Sequence, residues 1–404
     1  MACFLHRQSI TMTAIQFLTR RRVATRLPYI DSIRGIAALY VAIGHIWQFL
    51  AFQPPYANLP KIFTLLNFGH AAVGIFIVLS GYCLMLPIAV QGHVEQEAGW
   101  LPAFIRRRAL RVYPAYIAAI VISLIVISTT GVGLDPQRFW TKGLNHFSGE
   151  SIGSHLLLMH NLTRSQWTIN TPMWSVALEW QIYLVFGAVL VPLWKSVHPY
   201  VMLTALFVLT AWTAGVPSLH EKGLWFVGLF FMGAIAACYG TRTSAGVEGL
   251  GLPSKLWKLA GLRSAIPALL VFALTATMQN LILVSDIALG IGISGCLVWL
   301  QRTWNRTPEH KVFRFLSAKP LTILGAMSYS IYLLHFPILE ATNAWLVGKL
   351  PTLVVMAVQV FAVMPVLLGL SWLSYKYIEL PFMRMGKRIR PEGISQPSSN
   401  VVTP

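Results

Sequence analysis

Within the apolar stretch "YIDSIRGIAALYVAIGHIWQFL", residues 29 to 50, two ionisable groups stand eleven residues apart, Arg34 and His45. At 100° and 1.5 Å per residue, three turns bring the helix to within about 20° of its starting direction, so guanidinium and imidazole share one face, roughly 16 Å apart along the axis. Asp31 lies about 40° from His45 on the same projection. An imidazole titrates near neutral pH and serves as a general base, whereas an arginine grips phosphate or steadies an oxyanion. Ionisable groups inside an apolar span are expensive and mark functional sites. The plainer reading makes His45 a core histidine bonded to a neighbouring helix and Arg34 a snorkelling end anchor, and choosing between the two requires a partner.

Residues 173–184, "MWSVALEWQIYL", supply a carboxylate. Ser175, Glu179 and Tyr183 recur at i, i+4 and i+8 and form one polar stripe. Glu179 either neutralises Arg34 or orients and recharges a histidine base. A later segment, "GAMSYSIYLLHFPI", repeats the pattern with Ser328, Tyr332 and His335 on one face, of which His335 reads as structural. In "FIRRRALRVYPAYI", Arg108 and Arg111 are three apart, so a helix would set them on neighbouring positions facing one ligand, unless the whole basic run is an end anchor. Asp286, in another apolar run, has no obvious partner and is expected near the outer end. Cys3, Cys83, Cys238 and Cys296 are scattered, and no pair has metal-ligand spacing, so neither disulfides nor a metal site is expected.

The elements that must position these groups are membrane helices. In 404 residues, 56% are apolar and 11% charged, far from a soluble domain, and mean hydropathy is +0.63. About 20 residues cross the hydrocarbon, and ten spans are expected, near 33–51, 71–90, 112–130, 173–194, 199–215, 224–240, 264–280, 281–300, 321–347 and 351–376. The net charge of +18 is then a question of placement rather than a sign of nucleic acid. With the N-terminus inside, 25 of the 31 Lys and Arg fall in inner segments or at inner span ends, and only Lys61, Arg138, Lys142, Arg164, Lys222 and Lys349 fall outside. The positive-inside rule therefore predicts cytoplasmic termini. Residues 1–27 form a basic cytoplasmic segment with no signal-peptide core, in which Met12 is an alternative start; 28–383 form the membrane domain; and 384–404 form a basic, then disordered tail. Between spans, residues 131–172 hold "HLLLMH", too short to cross, which is expected to be re-entrant or to lie over the outer face.

These segments, in order, resemble the acyltransferase-3 family, multi-spanning membrane O-acyltransferases that modify bacterial polysaccharides and related acceptors. The opening "YIDSIRGIAALYVAIGH" resembles the family's basic residue, ten positions and histidine, and "GHAAVGIFIVLSGYCLM" its glycine-aromatic-Ser-Gly helix. "FIRRRALRVYPAYI" is similar to its Arg-x-x-Arg loop followed by Pro114 and Tyr116, and "MWSVALEWQIYL" to its tryptophan-serine-glutamate motif. "LGAMSYSIYLLHFPI" and "YIELPF" complete the series over most of residues 28–383. Ile77 and Trp180 depart from the usual pattern, which bears on substrate detail. The resemblance implies His45, Arg34 and Glu179 in the catalytic centre and Arg108 and Arg111 at the acyl-CoA donor. Asp31, Ser80, Tyr82, Trp174, Ser175, Tyr183, Ser328, Tyr332 and His335 form the supporting set. It further implies a bacterial cytoplasmic (inner) membrane, a saccharide or lipid-linked glycan acceptor, acyl-CoA as co-substrate, no tightly bound cofactor and no fused esterase-like domain. Direct attack by a hydroxyl deprotonated by His45 and transfer through an acyl-histidine both remain open. A transporter of a polar or anionic solute is the rival class, for which repeat symmetry or midplane helix breaks would be expected.

The charge asymmetry makes a direct prediction. Cysteines at positions 142 and 216 should react with an impermeant reagent in intact cells while those at 98 and 309 stay silent. Labelling at 98 would overturn the ten-span arrangement.

Overall fold

A computed structural model describes residues 27–51, 65–91, 99–131, 146–214, 216, 222–242, 244–248, 250–346 and 348–389. The expectations on the N-terminal segment, Met12, Cys3, Lys61, Arg138, Lys142 and the tail beyond Ile389 lie outside the described residues.

The described secondary structure is entirely helical, as expected for a chain whose apolar runs must satisfy their own backbone groups in hydrocarbon. The first long helix, α1 (Pro28–Ala51), starts with proline, whose missing N–H is harmless there, and carries Asp31 in its first turn. It is followed by α2 (Gly69–Gln91) and α3 (Trp100–Thr130). Helix α3 is bounded by Gly99 at φ 78° and Gly131 at φ 65°, left-handed positions that glycine adopts without steric penalty. It starts twelve residues before the expected span, so "RRRALR" is helical rather than a loop. A short α4 (Gly149–Leu156) precedes α5 (Thr171–Leu193), whose last third contains a π-turn at Phe186–Leu190.

Then come α6 (Pro199–Ala214), α7 (Phe226–Thr241), α8 (Leu262–Thr275), α9 (Ile282–Arg306) and a six-residue α10 (Lys311–Leu316). Helices α11 (Lys319–Ala326) and α12 (Ser328–Leu346) are bent by 69° at Met327. The last helical stretch, α13 (Thr352–Lys387), runs eleven residues past the expected end of the tenth span and four past the expected domain boundary. Among the described residues six helices, α1, α2, α3, α5, α9 and α13, are long and apolar enough to cross a membrane, and the bent α11–α12 pair makes a seventh. Helices α6, α7 and α8 are apolar but shorter. Each coincides with an expected span.

Two glycine contacts determine how closely the site-bearing helices approach. A Cβ on Gly81 would fall 2.7 Å from the carbonyl carbon of Phe230, and one on Gly233 would strike Val78, so α2 and α7 cross backbone to backbone. A Cβ on Gly35 would lie 2.6 Å from the Gly325 nitrogen, which seats α1 against α11. In a bilayer, where apolar side chains gain little by leaving lipid, such close approach is a principal source of helix association. Ser80 and Arg34 are the chain neighbours of these glycines.

The connection from residue 146 to 170 packs into the bundle instead of crossing it. His155 and His160 stack with ring centroids 3.8 Å apart, and both are fully buried. The Tyr116 hydroxyl donates to the His155 carbonyl at 3.1 Å, and Asn170 donates to Ser123 and to the Leu333 carbonyl. Leu157, between the histidines, is 64% exposed. Leu158 and Ile169 hold φ of 54° and 60°, costly for branched side chains, so the surrounding packing dictates the turn.

Two outcomes follow. Gly81→Val should lower stability by about 1–3 kcal/mol, the usual penalty for overpacking, with Gly69→Ala, at an open position, nearly neutral; thermal unfolding in detergent reads both. Burial pushes His155 down to about 4 and His160 down to about 2, below the unfolded histidine value. The unfolded chain then binds more protons below pH 6.5, so stability falls as pH drops from about 6.5 towards 4, by on the order of 2 kcal/mol per imidazole at pH 5. Amide exchange across 146–170 that is equally protected at pH 7.5 and 5 would refute this.

Candidate active site

The polar stripe of α5 faces a cavity lined by residues of α1, α2, α3, α5 and α12. Arg34 comes from α1, Ser80 from α2, Arg111 from α3, Ser175, Glu179 and Tyr183 from α5, and Ser328 and Tyr332 from α12, all on its wall. Eight of the expected site residues thus meet in one place. Tyr329, which sequence reasoning passed over, adds a wall and donates its hydroxyl to the Val112 carbonyl at 3.0 Å. The adjacent "SY" in the α12 segment was the available signal.

Glu179 is held by two donors, the hydroxyls of Ser80 and Tyr183, which both reach Oε1. Both donors are neutral hydroxyls, and Arg34 lines the same cavity wall as the carboxylate. With Arg34 and Arg111 against the single carboxylate of Glu179, the cavity wall carries an excess of positive charge and favours an anionic occupant.

Arg108 and Arg111 do not face the same space. Arg111 reaches the cavity, while the Arg108 guanidinium lies over the rings of Phe104 and Tyr183, 5.7 and 5.9 Å from their centroids. The three-residue offset rotates α3 by 60°, enough to move one side chain from the cavity to its aromatic rim. The Arg108 Nε is buried without a hydrogen-bond partner.

His45 stands outside the cavity and its partner is not Glu179. Its Nδ1 lies 3.0 Å from the Val41 carbonyl and 3.2 Å from Nε2 of His335. A carbonyl only accepts, so the proton of a neutral His45 sits on Nδ1 and its Nε2 carries the lone pair. His335 is arranged alike, with Nδ1 3.2 Å from the Ile331 carbonyl. The two rings lie 4.9 Å apart between centroids, and Tyr332, whose ring is 5.6 Å from that of His335, separates them from the cavity. Tyr332 is fixed by Ser175 at 2.7 Å and by donation to the Pro172 carbonyl at 3.1 Å. The expected imidazole–carboxylate pair is therefore replaced by an imidazole–imidazole pair joined to the carboxylate's cavity through Tyr332.

Three supporting residues lie elsewhere. Tyr82 and Tyr29 both donate to Oε1 of Gln301 at 2.8 Å, tying α1, α2 and α9 together. Trp174 packs on Phe226 at 6.0 Å, and Asp31 presents its backbone to Gly325. Asp286 does have partners, His70 Nε2 and Trp225 Nε1, both 2.7 Å from Oδ2, and His70 opens the glycine-aromatic helix motif. Glu379, from "YIELPF", is buried and accepts from Ser330. Among the described residues no cluster of three potential metal ligands exists.

The chain is 26% identical over 398 residues to O-acetyltransferase OatA of Staphylococcus aureus (strain NCTC 8325 / PS 47), covering 89% of this chain and 58% of that protein. Against peptidoglycan O-acetyltransferase OatA of Listeria monocytogenes it is 25% identical over 399 residues, with coverage of 91% and 57%. Against acyltransferase MdmB of Streptomyces mycarofaciens it is 25% identical over 408 residues, with coverage of 91% and 94%. The chain thus spans under three-fifths of the length of the two OatA proteins. No solved structure matches it. The acyltransferase-3 profile, described as an acyltransferase domain, matches residues 27–376, and the chain belongs to that family.

Proposed function

We propose that this protein is a membrane O-acyltransferase that moves an acyl group, acetyl in the first instance, from cytoplasmic acyl-CoA to a hydroxyl of a saccharide or glycoconjugate acceptor. The observation that carries the reading is the cationic cavity of Arg34 and Arg111, separated by Tyr332 from a histidine pair in which His45 Nδ1 faces the Val41 carbonyl and leaves Nε2 as the ring's lone-pair nitrogen. The names of the OatA relatives support an acetyl group, and that of the Listeria protein supports a saccharide acceptor.

In this scheme all ten helical segments span the bilayer, with both termini in the cytoplasm of the bacterial inner membrane. The phosphates of CoA meet Arg111 and Arg34 near the inner face, and the thin pantetheine arm extends past Tyr332. Arg34 and His45 are about 16 Å apart on one helix face, so an extended donor can have its phosphates at one and its thioester at the other. His45 Nε2 takes the acceptor's hydroxyl proton as the oxygen attacks the thioester carbonyl. The C–S bond then breaks, and the imidazolium returns the proton to the departing thiolate. His335 holds the His45 ring and its tautomer, while Glu179 holds Arg34 and the polar wall.

Acyl transfer in purified membranes tests the scheme, read as product ester and released CoA thiol. His45→Ala should abolish turnover with the protein still inserted and folded, and Glu179→Gln should reduce it strongly without reaching zero. Arg111→Lys keeps the charge but loses the planar fork, and should raise the apparent KM for acyl-CoA with acceptor dependence little changed, whereas Arg106→Lys, on the exposed side of α3, should be silent. Near-wild-type turnover by His45→Ala refutes the base. Solute uptake without any acyl transfer would restore the transporter reading.

A further inference from the structure

On the other side of the bundle, α6, α7, α8 and α9 leave a crevice of about 1020 Å³ walled almost entirely by apolar side chains, among them Leu203, Phe207, Ile235, Ile291 and Val298. None of its residues lines the acyl-transfer cavity. Leu259 and Ile291, both on its wall, are 53% and 39% exposed, so the crevice opens sideways, where the bilayer would lie. Along α9 its lining runs from Ile287 to Val298, eleven residues or roughly 16 Å of helix. That is about half of a hydrocarbon core of ~30 Å, the depth of one leaflet's tails.

The next residue of α9 begins a different environment. Trp299, Arg302 and Arg306 line a second pocket, of about 860 Å³, together with Trp257, Lys258 and Arg263. The two spaces share Ala260. Arg302 forms the floor. Its guanidinium stacks on Trp257 at 4.0 Å and donates to the carbonyls of Tyr239, Trp257 and Ala260 at 2.9 to 3.1 Å, so every group it touches is neutral. Arg306 is one turn away on the same face, a like-charge neighbour that an isolated helix disfavours. Lys258, Arg263 and Arg306 are exposed, and among the described residues no carboxylate lies within ion-pair distance of any of the four cations. Trp257 and Trp299 are side chains that settle at headgroup depth.

We propose that this composite site binds one anionic phospholipid, its phosphate held by Lys258, Arg263 and Arg306 over the Arg302–Trp257 floor and its acyl chains laid in the crevice beside α9. Charge alone would suit any phosphate, but a soluble one would leave the adjoining apolar crevice unfilled. The continuity of the two spaces over one leaflet's depth selects a lipid. Ser294, whose Oγ is buried in the crevice wall without a partner, is available to donate to a glycerol ester carbonyl.

The test uses the full chain reconstituted in nanodiscs of mixed phosphatidylglycerol and phosphatidylcholine, with retained lipid counted by native mass spectrometry after release into detergent. Wild type should retain phosphatidylglycerol in preference to phosphatidylcholine. The triple variant Lys258→Gln, Arg263→Gln, Arg306→Gln should lose about tenfold of that preference, since each basic group near the surface attracts anionic lipid. Ala236→Phe, which fills the crevice, should reduce retention of both lipids, while Arg306→Lys, which keeps the charge, should retain the preference. Monodisperse elution of each variant establishes that it is folded. Equal lipid preference in wild type and the triple variant, or displacement of the bound species by millimolar glycerol phosphate as readily as by phosphatidylglycerol, would overturn the proposal.

Discussion

A carboxylate inside an apolar bundle must be satisfied locally, and the packing around the cavity follows from meeting that requirement at Glu179. Glu179 of α5 is bonded by two hydroxyls, from α2 and from its own helix, and shares its cavity wall with the Arg34 guanidinium of α1. The α2 hydroxyl is in place because Gly81 lets α2 press against the backbone of α7, and Arg34 because Gly35 lets α1 press against α11. Close packing and charge compensation are thus one problem solved once. The same helices that carry the polar groups carry the small residues that bring them together.

Much of this is legible in the sequence alone. Apolar run length located the helices, because a bilayer demands about 20 residues and accepts few polar interruptions. Helical periodicity located the α5 stripe, since Ser175, Glu179 and Tyr183 share a face whatever surrounds them. Arg34 and Arg111 were legible as cations for the same reason. The partner of His45 was not. Periodicity places residues on a face of their own helix and is silent about which neighbour that face meets, so a carboxylate on α5 and an imidazole on α12 were equally available, and the bundle selected His335. Asp286 failed in the same way, its partners being 216 and 61 residues distant.

The helix ends differ from hydropathy for another reason. Hydropathy records where lipid contact stops, while hydrogen bonding continues the helix into water until a cap intervenes. Gly99 supplies such a cap for α3, and the arginines from 106 to 111 consequently project from a rigid helix at defined angles. This is why Arg108 and Arg111, neighbours in sequence, have different surroundings: an aromatic rim for one and the cavity for the other.

The histidine pair has a consequence for membrane energetics. Each ring turns its Nδ1 to a backbone carbonyl, Val41 for His45 and Ile331 for His335, a group that accepts a hydrogen bond but cannot take up a proton. A proton gained by His45 therefore has no onward carrier through His335, and the pair is a dead end rather than a wire. In the proposed mechanism, a base so placed returns its proton to the reacting groups. Turnover by that mechanism carries no proton through the pair.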